Sequence, residues 1–148
     1  MTLLERLSQE IKSAMMAKDA ERLGPLRMLK SAIGYVQIER KNENLSDADV
    51  VALVQKEVKK RRDSIEQFEK GGRPELAATE KKEITVLEGF LPQPLAPEEL
   101  ENLIRATIQE LGATSKKEMG AVIKAVQAKA AGRADGKSIS TGVGKLLP

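Results

Sequence analysis

The sequence predicts an all-α fold of two helical bundles, and three observations predict it. Apolar residues recur at three- and four-residue steps in seven stretches, and no stretch alternates with the period of two that marks a strand. Pro92, Pro94 and Pro97 fall within six positions, where continuous helix is forbidden and extended backbone is favoured. Helical patterns lie on both sides of that break, about four before it and three after. The expected division is an N-terminal bundle over residues 1–91, a proline-rich linker over 92–97 and a three-helix C-terminal bundle over 98–148.

The first helix is expected from about Thr2 to Lys18, with Leu4, Leu7, Ile11, Ala14 and Met15 as its apolar stripe. Lys18 and Asp19 begin a turn. The second helix starts near Glu21, which puts Pro25 in its first turn, where no intrahelical N–H is needed. Leu26, Leu29, Ile33 and Val36 carry that helix to about Arg40, and a polar break follows over residues 41–44. Ser46 and Asp49 have the spacing of a capping box, opening a long third helix from about Asp47 to Lys70.

Val51, Val54, Val58, Ile65 and Phe68 form the third stripe, which places Arg61 where an apolar residue belongs. A buried arginine must be paired, or must snorkel to water. Glu39, Glu80 and Glu83 are candidate partners, and the simpler expectation is an arginine lying along the surface at a stripe edge. Lys59, Lys60, Arg61 and Arg62 are consecutive, so on a helix they point in four directions and make no single anion cradle. Gly71 and Gly72 end the third helix, and Pro74 starts a fourth with Leu76, Glu80, Ile84, Leu87 and Leu91 on one side.

Beyond the prolines, Leu100, Leu103, Ile104, Ile108 and Leu111 define the fifth helix, ended by Gly112. Ser115 and Glu118 have capping-box spacing ahead of a sixth, whose face is Met119, Val122, Ile123, Val126 and Ala130. Gly132 closes it, because a positive φ is cheapest in glycine. After a turn at Asp135 and Gly136, a short seventh helix carries Ile139, Val143, Leu146 and Leu147. Helices this short need each other, and the fifth is the partner that completes the set.

Composition narrows the chemistry. The chain of 148 residues contains no cysteine and no histidine, which removes thiol chemistry, disulfides, the commonest general base and the commonest transition-metal ligand. No catalytic, metal or cofactor site is expected. No apolar run approaches the ~20 residues of a membrane span. Glu5, Arg6, Glu10 and Lys12 interrupt any signal-peptide core, so a cytoplasmic protein is expected. Residues 131–138 resemble a relaxed phosphate-binding loop, but no β-strand precedes them, so nucleotide binding is not expected there.

Charge is uneven along the chain. Residues 112–148 hold seven basic and two acidic residues, a net +5, while residues 1–111 carry a net −2. That asymmetry points to an anionic partner for the tail, against the plainer reading of a solvated lysine-rich surface. The phosphate-contact candidates are Lys116, Lys117, Lys124, Lys129, Arg133 and Lys137. Helix N-termini near Ser115 and Lys137 would add backbone N–H donors. Gly120, Gly132 and Gly136 would permit close backbone approach or serve as turns. The tail has no aromatic residue, so shape and phosphate would dominate over base stacking.

Several segments occur in the order found in one family: LLERLSQEIKSAM, LRMLKSAIGYVQIE, KKRRDSIEQF, FLPQPLAPEEL and MGAVIKAVQAKAAGRADGK. The chain resembles the GatB/YqeY family, and more narrowly the stand-alone YqeY-like proteins. The resemblance implies two helical bundles, the second similar to the tail domain of the B subunit of glutamine-dependent aspartyl/glutamyl-tRNA amidotransferase. It implies tRNA binding by that tail. At family level it also implies carbon–nitrogen ligase activity with glutamine as amido-N-donor, although the chain has no counterpart of the synthetic or glutaminase domains. The expected role is therefore a non-catalytic tRNA-binding accessory protein. The alternative is an adaptor to an amidotransferase or aminoacyl-tRNA synthetase.

Overall fold

Local signals in the sequence start and stop most of the helices. The computed structural model describes residues 1–148 and contains seven α-helices and no strand. They divide into two compact units, Met1–Leu91 and Pro92–Pro148. No helix is long and apolar enough to cross a membrane.

The first unit holds α1 (Leu3–Met16), α2 (Ala20–Glu39), α3 (Asp47–Lys70) and α4 (Pro74–Glu88). Thr2 and Glu5 form a reciprocal capping box at α1: the Glu5 N–H donates to Thr2 Oγ1 at 3.1 Å, and the Thr2 N–H donates to Glu5 Oε2 at 3.2 Å. Ser46 and Asp49 do the same at α3. Gly72, at φ +71°, turns the chain between α3 and α4, and Pro74 opens α4. Leu7, Ile11, Leu26, Leu29, Val54 and Phe90 are among the side chains that fill the core.

Four expectations need correction here. Met15 is exposed, because the α1 stripe follows Leu7, Ile11 and Ala14 and leaves Met15 a further 100° around the helix. Pro25 is buried inside α2 and past its first turn, because Asp19 caps the helix through the Arg22 N–H at 3.2 Å and so starts it at Ala20. Val50 takes the buried position assigned to Val51. Arg61 does not lie on the surface: it is only 7% exposed, with Nη1 3.1 Å from Glu80 Oε2 and also paired with Glu83. Its Nη2 faces Met28 Sδ at 3.3 Å, and its Nε is buried with no hydrogen-bond partner.

The second unit holds α5 (Pro97–Leu111), α6 (Met119–Ala130) and α7 (Gly136–Leu146). Ile104, Val122, Val126, Ala130, Ile139, Val143 and Leu147 form its core. Thr107 is fully buried and satisfies its hydroxyl by donating to the Leu103 carbonyl at 2.7 Å, whereas Leu111 is exposed, contrary to the expected stripe. Gly112 ends α5 at φ +65°. The sixth helix is not continuous from Ser115: a single 3-10 turn at Lys116–Glu118 precedes it. Ala131 is the first left-handed residue after α6, at φ +47°, and Gly132 follows at φ +87°. The Leu95 N–H donates to the Arg133 carbonyl at 2.8 Å, so the proline-rich segment is tied to the α6–α7 turn.

Candidate nucleic-acid interface

The acids of the second unit decide which of its cations are free. The unit holds eight basic and six acidic residues, a net charge of +2, and the first unit holds 17 and 16, a net +1. The charge asymmetry of the sequence therefore lies inside the second unit. There α5 is acidic, while α6, α7 and the turn before α6 are basic.

Packing the three helices together spends two of the candidate cations on structure. Lys129 of α6 pairs with Glu110 of α5, and its Nζ lies 3.4 Å from Thr107 Oγ1. Arg133 donates from Nε to the Gln93 carbonyl at 2.9 Å and lies 4.0 Å from Glu99. Lys129 holds α5 against α6, and Arg133 holds the proline segment and the start of α5 against the α6–α7 turn. Arg105 is paired with Glu101 along α5 itself. Lys116, Lys117, Lys124 and Lys137 are exposed and enter no ion pair, and the same holds for Lys145, which the charge count includes but the site reading omits.

α5 and α7 border a groove of about 640 Å³. Leu100, Ile104 and Leu146 contribute apolar surface to it, while Arg133, Lys137 and Lys145 are its cationic residues and Glu101 and Asp135 its acidic ones. Lys137, Thr141 and Lys145 stand at four-residue steps, so one stripe of α7 faces the groove, with its two lysines ~12 Å apart along the axis. Lys116, Lys117 and Lys124 are not among the groove residues.

The helix N-termini are less open to an anion than the sequence suggests. Asp135 Oδ1 accepts the Ser138 N–H at 2.6 Å at the start of α7. Glu118 Oε2 accepts the Thr114 and Ser115 N–H groups at 2.6 and 3.3 Å. Each end already carries a carboxylate, which satisfies part of the positive dipole.

The three candidate glycines have different reasons. Gly132 needs its positive φ. A Cβ on Gly120 would meet nothing within 4 Å, and one on Gly136 would make an ordinary 3.7 Å contact with Gln127. The close approach is at Gly142, where a Cβ would lie 2.6 Å from Ile104 Cδ1. No helical period marks it, because the crowding comes from α5.

Residues 4–147 match the family described as Yqey-like protein. The chain belongs to that family. Among its relatives is the Lachancea thermotolerans protein named altered inheritance of mitochondria protein 41, mitochondrial, 36% identical over 93 residues, which are 62% of this chain and 50% of the relative. A Kluyveromyces lactis protein of the same name is 34% identical over 84 residues, 57% of this chain and 45% of the relative. One from Pyrenophora tritici-repentis is 27% identical over 134 residues, 89% of this chain and 73% of the relative. The chain spans about half the length of the Lachancea and Kluyveromyces relatives.

Proposed function

We propose that the C-terminal unit is a non-catalytic RNA-binding module that takes tRNA through its phosphates. The observation that supports this is the set that enters no ion pair, Lys116, Lys117, Lys124, Lys137 and Lys145, left over after Glu110, Glu99 and Glu101 of α5 are matched to Lys129, Arg133 and Arg105. Lys137 and Lys145 line the α7 side of the groove, beside its apolar residues. The resemblance of this unit to the amidotransferase tail supports tRNA over other RNA. The proposal places the protein in the cytoplasm, where fractionation should find it with the tRNA pool. Recovery in an organelle matrix would contradict that placement.

Anisotropy of labelled tRNA, titrated with the whole chain at several salt concentrations, tests the binding. Phosphate contacts release condensed counterions, so affinity should fall steeply with salt. Five contacts would give a log–log slope of about −4, and two a slope of about −2. Absence of binding at low salt would overturn the proposal.

A second reading, an adaptor to an amidotransferase or synthetase, is favoured by one observation: the groove has aliphatic surface and no aromatic side chain for base stacking. Co-purification with such an enzyme after nuclease treatment would support it. Glutamine-dependent amide transfer is left out of the proposal, because the chain has neither histidine nor cysteine to activate. Glutamine turnover by repurified protein above a heat-killed control would reverse that exclusion.

A further inference from the structure

α2 carries two apolar stripes, and only one is covered. Leu26, Leu29 and Ile33 face the core of the first unit. On the opposite side Met28, Tyr35 and Ile38 are 57%, 72% and 70% exposed. With Gly24 and Ser31 they fall at positions 24, 28, 31, 35 and 38, alternating steps of four and three. That 3.5-residue repeat marks a helix face that packs lengthwise against another helix. In a chain where 32% of residues are charged, this strip carries none.

We infer that this face makes a homodimer in which α2 of one chain lies antiparallel on α2 of a second copy, with the two-fold axis at Ser31. Three observations select a second copy over another helix. A two-fold contact must be self-complementary, each residue meeting a partner that meets it in return. Reversing α2 about Ser31 sets Gly24 against Ile38, small against large, and brings Met28 within one residue's rise, ~1.5 Å along the axis, of the mate's Tyr35, a thioether beside an aromatic ring. The small Ser31 side chain sits at the crossing, where the two backbones come nearest. Finally, the flank charges match. Lys82 lies 3.7 Å from Glu21 at one end of the strip, and Glu39 stands on the same flank at the other end. The reversed copy brings its Glu39 to Lys82. Met28 is held ready beneath by its 3.3 Å contact with Arg61.

A single pair of 20-residue helices, ~30 Å long, gives an interface at the small end of the stable range. The dimer should therefore be concentration-dependent, with micromolar dissociation. Sedimentation of the whole chain across the micromolar range should show monomer at the bottom and dimer at the top. Tyr35→Glu with Ile38→Glu, both at exposed positions, should give monomer throughout with unchanged helicity. Orientation is read with thiols, which the natural chain lacks. On mild oxidation Ser31→Cys chains should cross-link to each other, and Ile38→Cys chains should not. Mixing Gly24→Cys with Ile38→Cys chains should give the mixed dimer. A monomer at every concentration, a dimer that survives the double glutamate variant, or self-cross-linking of Ile38→Cys chains would each overturn the inference.

Discussion

Arg61 is held by two carboxylates it did not have in the unfolded chain. Removing only the arginine would leave Glu80 and Glu83 facing each other, each about one-quarter exposed. Breaking a fully buried pair costs about 3–5 kcal/mol, and the partial exposure of the glutamates lowers that to ~2–3 kcal/mol. Arg61→Met should therefore lower the thermal midpoint of the first unit by about 10 °C or more in a calorimetric scan. Replacing all three with aliphatic residues should recover most of the loss, since the orphaned Arg61 Nε disappears as well. At the α3 N-terminus, Ser46 holds the Asp49 carboxyl below its usual pKa through its side chain and then its backbone N–H, with Arg40 adding to the effect. A carboxyl depressed in the folded state stabilises above its unfolded pKa, and that contribution is lost as pH falls through the folded value. Ser46→Ala should shrink this acid-side loss in a pH series of unfolding midpoints.

At the scale of the element, two glycines of the second unit should respond in opposite directions. Gly142→Ala puts a methyl group 2.6 Å from Ile104 Cδ1, so the buried Ile104 side chain must shift out of its packing to admit it. Overpacking of that kind costs roughly 1–3 kcal/mol. Gly120→Ala meets nothing, lies in α6 at an ordinary helical φ, and should stabilise by about 0.4–1 kcal/mol. Denaturant midpoints of the two variants check the pair. The same contrast explains what the sequence could and could not say. Apolar stripes and capping boxes are local, so the helices and the Ser46 start were legible. The crowding at Gly142 and the ion pairs of Lys129 and Arg133 join residues far apart in sequence. No periodicity announces them, and two fold-holding cations were therefore indistinguishable from free ones. The exposed strip on α2 was hidden for another reason: a second apolar stripe blurs the one-sided pattern that reveals a helix.

At the scale of the whole molecule, Lys129 and Arg133 hold the fold, and the proposed RNA contacts fall to lysines that enter no ion pair. A fragment of residues 92–148 contains a core of its own and should melt cooperatively by circular dichroism, at a modest temperature given its small size. Whether unpaired lysines of the second unit grip tRNA phosphates is read from the salt dependence of tRNA binding by paired variants of the whole chain. Lys137→Ala with Lys145→Ala removes two groove-lining cations that no ion pair uses, while Lys12→Ala with Lys56→Ala removes the same charge from exposed positions of the first unit. The first pair should reduce the log–log salt slope by about two units and weaken all tRNAs alike, while the second pair should leave the slope unchanged. Equal losses from both pairs, or an unchanged slope in the first, would contradict the proposed phosphate contacts.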